Sequence, residues 1–193
     1  MSALSFARLR PFVGLACAAV LALVSAGCGS LTHHVASPEN NGVYVNAGRI
    51  TYQLQISRQL NQFSVEDSRY VAGVPRAAAS LRPDQLWYGV FLDAKNQNKV
   101  SAPTTANFVI VDTQGHRYFP IPVNRALNPS VWSAQVLAPG GAQPIPDSTA
   151  YFGPTQGQLL LFKLNLSVYD NRPLTLEILG PTRQVWGAIS LDL

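Results

Sequence analysis

From residue 43 onward the apolar positions recur with a period of two. Ile50, Tyr52, Leu54 and Ile56 alternate with Thr51, Gln53, Gln55 and Ser57, the pattern of a strand with one buried face. Leu86, Tyr88, Val90, Leu92 and Ala94 alternate with Trp87, Gly89, Phe91, Asp93 and Lys95, so both faces are apolar over the first half. That predicts a central strand.

Phe108 to Val111 runs into Asp112-Thr113-Gln114-Gly115 and out through Arg117, Tyr118 and Phe119. An acidic turn residue followed by a glycine able to take a left-handed conformation, between two apolar runs, predicts a β-hairpin. Val131 to Leu137 is a weaker strand candidate, stopped by Ala138-Pro139-Gly140-Gly141. Leu159 to Leu164, Leu174 to Leu179 and Gln184 to Leu193 complete the set. Two irregular stretches, 60–84 and 142–157, lack a sustained 3.6 period, so helix is expected to be scarce, with one helical turn around Glu66 to Tyr70. Seven or eight short strands with recurrent turns predict an all-β fold, an antiparallel sandwich of two sheets over residues 43–193.

The N-terminal 42 residues follow a different rule. Arg8 and Arg10 precede an uncharged apolar run from Pro11 to Gly27, the arrangement of an export signal, and the run is short for a spanning helix. It ends in Ser25-Ala26-Gly27-Cys28-Gly29, which resembles the lipobox of bacterial lipoproteins, although that family most often has leucine where Ser25 stands. The resemblance implies cleavage before Cys28 and attachment of lipid to its thiol, in preference to ordinary cleavage or an uncleaved anchor. Residues 1–27 are then a lipoprotein signal peptide and 28–42 a flexible tether, holding the domain outside the cytoplasm on a cell membrane or outer membrane. The adjacent His33 and His34 read as part of this solvated tether, without the partner ligands a metal needs.

Composition narrows the function. Only 12% of the 193 residues are charged, and the formal net charge of +4 includes Arg8 and Arg10 of the leader. A nucleic-acid partner therefore has no electrostatic footprint. Both cysteines, Cys17 and Cys28, fall in the first 28 residues, leaving the sandwich without a disulfide or zinc cluster.

The succession Leu86-Trp87-Tyr88-Gly89-Val90-Phe91-Leu92, Lys95-Asn96, Asn107 to Asp112, Gly115, Tyr118, Leu137-Ala138-Pro139-Gly140, Leu161 to Leu164 and Pro173 to Ile178 is similar to a known family over roughly residues 48–180. It resembles the telokin-like domain of bacterial secreted proteins and lipoproteins, related to the mycobacterial immunoprotective extracellular antigen. The resemblance implies an immunoglobulin-like sandwich, no cofactor, and no catalytic residues to carry over. Residues 141–157 make a longer insertion than that family usually has, and Asn165 stands where many of its members have proline.

No nucleophile elbow, zincin helix motif or phosphate loop is present. Glu66 and Asp67 are expected to start a helical turn, and His116 to sit at a solvated hairpin tip. Trp132, Tyr151 and Phe152 lie in or beside Pro/Gly-rich segments, where they either plug the ends of the core or anchor an envelope protein or polysaccharide. The expectation is a noncatalytic, lipid-anchored interaction or structural module with no cofactor and no metal. A small-ligand receptor and a hydrolase using carboxylates or His116 are the alternatives.

Overall fold

Most of the period-two segments form strands where the pattern places them. The computed structural model describes residues 35–36 and 43–191; the stretch 1–27 read as a signal peptide, Cys28, His33 and His34 lie outside the described residues. The elements in chain order are β1 (Val35–Ala36), β2 (Val43–Ala47), β3 (Ile50–Leu60), α1 (Ser68–Val71), α2 (Arg76–Ala79), β4 (Gln85–Lys95), β5 (Ala102–Pro103) and β6 (Asn107–Val111). They continue with β7 (Arg117–Tyr118), β8 (Val136–Leu137), β9 (Ala142–Gln143), α3 (Thr149–Phe152), β10 (Gln158–Asn165), a 3₁₀ turn (Leu166–Tyr169), β11 (Leu174–Leu179) and β12 (Val185–Leu191). Each of the described α-helices is a single turn, as the missing 3.6 period predicts.

One sheet has the order β1-β12-β11-β6-β7 and the other β10-β4-β3-β2, with β9 added to β4. Among the described strands the pairings are antiparallel except β1 with β12. The fold is thus an all-β sandwich. Tyr52, Tyr88, Val90, Leu92 and Phe162 of one sheet pack against Phe108, Ile110, Leu176, Ile178 and Ile189 of the other, all essentially inaccessible to solvent. The hairpin turn is also as expected, with Gly115 at φ 82°, a conformation that favours glycine.

A second apolar layer lies on the outside of β4 and β10. Trp87 and Phe91 of β4 and Leu159 and Leu161 of β10 face away from the sandwich core, and Tyr70, Val71, Val74, Leu81, Ile121 and Val123 cover them. This cover explains why the first half of β4 is apolar on both faces. Beyond Phe91 the outer face turns polar, at Asp93 and Lys95.

Three expectations need correction. β3 carries a bulge: Leu54 pairs with Leu92 but Ile56 pairs with Phe91, leaving Gln55 as the extra residue. The inward phase therefore ends at Leu54, and Ile56 is 42% exposed instead of sharing the core face. The strand expected from Val131 to Leu137 reduces to a bridge at Val131 and the two residues of β8, because the segment bonds to flanking backbone at separate points: Trp132 N to Leu159 O and Thr104 N to Gln135 O. Finally, Val35 and Ala36, within the stretch expected to be tether, pair with Ala188 and Ile189 of β12.

Candidate functional site

The outward row of side chains that crosses β2, β3 and β4 is set by register. Tyr44 stands opposite Gln53, and Gln53 opposite Asp93. Beside this row run Thr51 and its partner Lys95. Both rows sit on the part of the sheet that the apolar cover does not reach.

The far wall comes from the segment between β9 and β10. β9 pairs with Ala94 and Lys95, and β10 begins opposite Leu92, so the chain leaves β4 and returns to the same edge after an excursion through Pro144, α3 and Gly157. The base of the excursion is held by buried polar groups. Gln143 Nε2 donates to Ser133 O at 3.0 Å and Gln158 Oε1 at 2.5 Å, while Thr104 Oγ1 donates to Gln143 Oε1 at 3.2 Å. Gly157, at φ 97°, lets the returning backbone press against β4: a Cβ there would lie 3.0 Å from Leu92 N and 3.1 Å from Gln55 Cγ. Only glycine satisfies both demands.

Two adjoining hollows of about 370 and 290 Å³ result, sharing Gln53, Asp93, Pro144 and Tyr151. Together they form an open trough of small-ligand size. Tyr44, Gln97 and Ala142 complete one end; Gln55, Gln156 and Gly157 complete the other. Tyr44 is 63% and Tyr151 41% exposed, and the neighbouring Phe152, 69% exposed, meets Tyr151 edge to face at 5.0 Å.

Asp93 is the chemical focus. Gln55, the extra residue of the bulge, donates from Nε2 to Asp93 Oδ2 at 2.6 Å, and Asp93 Oδ1 is buried without a hydrogen-bond partner. Burial pushes the Asp93 carboxyl up to about 6, against the opposing effect of the Gln55 hydrogen bond. A folded-state value above the unfolded one of about 3.9 means that the stability tied to this group is full below that pH and is lost as pH rises through about 6. Asp93→Asn is therefore expected to stabilise the protein by about 1–2 kcal/mol at pH 7, a range already reduced for solvent screening. Near pH 4 the gain should vanish. Urea unfolding at both pH values checks this, and a less stable variant at pH 7 would make Asp93 a structural residue.

The sequence singled out other residues. Trp132 lies inside the core, 8% exposed, with its indole N–H donating to Thr105 O at 2.9 Å, so it does not face a partner. Tyr151 and Phe152 are on the surface, and Tyr151 lines the trough. Asp67 is engaged by Arg58, with Nη2 to Oδ1 at 2.6 Å and Nη1 to Oδ2 at 3.1 Å, which hold its carboxyl below the usual range; Glu66 lies 4.0 Å from the same guanidinium. Asp67 is therefore a structural anion rather than half of an acid/base pair. The His116 ring is exposed at the hairpin as expected, but its Nδ1 lies 2.9 Å from the buried Asp112 Oδ2. Among the described residues no group of three or more His, Cys, Asp or Glu side chains is placed to hold a metal.

Two further hollows, of about 360 and 590 Å³, lie against the outer apolar layer. Apart from Arg125 in one and Arg76 in the other, their linings carry no ionisable side chain. The trough is distinguished by a buried carboxylate with an unused oxygen.

Asp93 was the residue that sequence reading missed as a site. Its signal was present as the change from Trp87 and Phe91 to Asp93 and Lys95 on one face of a strand, next to a glutamine-bearing strand. Which glutamine meets which carboxylate depends on register and on the bulge, neither of which the alternation encodes.

No protein-family model matches the chain, and no curated protein matches it. Among solved structures the chain is similar to the yjhA protein from Bacillus subtilis, at 10% identity over 82% of this chain and all of that one with a TM-score of 0.45. It is also similar to a conserved hypothetical protein from Bacillus anthracis, at 10% identity over 69% of this chain and 84% of that one with a TM-score of 0.42.

Proposed function

We propose that the chain is a lipid-anchored extracytoplasmic protein that acts by binding rather than by catalysis, with the Tyr44, Gln53, Asp93 and Tyr151 trough as its binding face. The reading also makes it a member of the telokin-like family that the strand pattern resembles. The observation that carries the binding role is the trough itself: exposed tyrosines on both sides of a row of amide groups and one carboxylate whose buried Oδ1 has no hydrogen-bond partner. Retaining a buried charge that opposes stability is explained if the charge meets a ligand.

Location rests on the sequence from Arg8 to Cys28. Two acyl chains give stable anchoring where a single one is marginal. Cys28→Ala is expected to move the protein from the membrane fraction to the soluble fraction on cell fractionation. If the variant remains with the membranes, lipid anchoring at Cys28 is wrong.

The hydrolase alternative meets a chemical obstacle. Paired-carboxylate hydrolysis requires two acids about 5–9.5 Å apart, and Asp93 is the one carboxylate among the residues lining the trough. Hydrolysis of a soluble substrate that disappears in Asp93→Asn would favour that alternative over binding.

A further inference from the structure

We infer that the trough takes a neutral oligosaccharide or the side of a neutral polysaccharide chain, with Tyr151 stacking on a sugar ring and Asp93 accepting a hydroxyl hydrogen bond. The inference rests on the reading of the trough as a binding face and adds the class of ligand.

The hydrogen-bonding inventory comes first. Thr51, Gln53, Gln55, Gln97 and Gln156 line the two hollows, and each side chain both donates and accepts. A sugar hydroxyl does the same, so such a lining matches a polyol better than it matches a group that only donates or only accepts. Among the described residues Asp93 Oδ1 is a carboxylate oxygen without a hydrogen-bond partner; it lies just beneath the trough surface, so a sugar hydroxyl reaches it, in a charge-assisted bond, only as the carboxyl group turns outward on binding.

Charge excludes the competing classes. Asp93 and Lys95 are the carboxylate and the ammonium of the lining, and they cancel. Phosphate or another anion would call for an excess of cationic groups, and a polyamine or basic peptide for an excess of carboxylates. The trough offers neither.

Tyr44, Gln53 and Asp93 stand on three adjacent strands, about 4.8 Å apart from strand to strand, and Tyr151 rises beyond them on the far wall. An aromatic side chain therefore lines each side of a polar floor two strand spacings wide. Both hollows are open to solvent, so a sugar can enter the site from the surface. The C–H face of a pyranose is apolar and its edge is polar, which is the division the tyrosines and the floor present.

The test is a titration of the full-length, isotope-labelled chain in detergent micelles with cellotetraose, maltotetraose and chitotetraose, followed by the side-chain amide resonances of Gln53, Gln55 and Gln156. Pentalysine serves as the cationic comparison. At least one sugar is expected to shift these resonances, with affinity falling tenfold or more in Tyr151→Ala and in Asp93→Asn. Because Asp93→Asn is expected to be the more stable protein, its loss of affinity cannot be assigned to unfolding. A response to pentalysine and to none of the sugars would overturn the carbohydrate assignment while leaving a binding face. Silence toward every probe up to about 10 mM, beyond the weakest useful affinities, would overturn both.

Discussion

Trp132→Ala is expected to destabilise the sandwich by about 3–5 kcal/mol, a large share of the stability of a domain this size. The indole occupies the space between the sheets, with its ring 5.4 Å from Phe108 at 85° and 5.9 Å from Tyr52 at 36°; Tyr52 and Phe108 meet edge to face at 6.2 Å. Removing it opens a cavity bordered by two aromatic rings and takes away the donor to Thr105 O. The neighbouring Thr105 amide donates to Tyr52 Oη at 2.8 Å, so one loop residue is tied to both rings through its backbone. Burial pushes the Tyr52 hydroxyl up to about 12, so this part of the core is unaffected by pH in the neutral range. Urea unfolding measures the loss. Near-wild-type stability with a selective loss of partner binding would instead restore Trp132 to the role of an interface anchor.

Asp112→Ala should cost about 3 kcal/mol at pH 7, and acid should produce a related loss in the unaltered protein. The Asp112 side chain has no solvent exposure. Its Oδ1 accepts from the amides of Gln114 and His116, both at 2.9 Å, and its Oδ2 meets His116 Nδ1 at 2.9 Å, Asn171 Nδ2 at 3.3 Å and Tyr118 Oη at 3.4 Å. Alanine leaves these donors without their acceptor, at about 1–3 kcal/mol for each one that stays buried and unpaired. Burial pushes the carboxyl up, but the hydrogen bonds from His116, Asn171 and Gln114 outweigh it and hold the group below the usual carboxylate range.

A depressed folded-state value fixes the sign. The stabilisation is present above the unfolded value of about 3.9 and is lost as pH falls through the folded one. Asp67, held down by Arg58, acts in the same direction. Between neutral pH and about pH 2, the unfolding midpoint should therefore fall in the acid limb, and Asp112→Ala should flatten that limb. Asp112→Asn keeps the size of the side chain while removing its charge and exchanging one acceptor oxygen for a donor, so it separates the loss of these electrostatic partners from the loss of volume. An acid limb of equal steepness in wild type and Asp112→Ala would mean that another group governs the acid response. Asp93 works in the opposite direction above pH 4, so maximal stability is expected in the mildly acidic range.

The three carboxylates show why residue type alone did not locate the site. Asp67, Asp93 and Asp112 are each half-buried or buried beside hydrogen-bond donors, yet Arg58 occupies one, the hairpin amides and His116 occupy another, and Asp93 alone keeps an unpartnered buried oxygen. The sequence separates them only partly. The D-T-Q-G run announces that Asp112 serves its own turn, and Gly115 at φ 82° bears this out. The pairing of Asp67 with Arg58 spans the β3 to α1 loop and is not implied by spacing. The contact between Gln55 and Asp93 joins residues 38 positions apart, at the point where the β3–β4 register shifts.

Alternation along the chain by itself determined the sandwich, its central strand and, outside the β3 bulge, its core faces, because a period of two leaves a strand one way to hide its apolar side. Val90, Leu92, Leu176 and Ile189 are all fully buried as that argument requires. Tertiary structure decided the rest. The bulge at Gln55, the return of the 144–157 excursion to the edge of β4 and the cover that stops at Phe91 each arise from contacts between distant segments. Local pattern says which face of a strand is polar; only the register across three strands and the loop packed beside them decides whether that polar face is ordinary surface or the floor of a site.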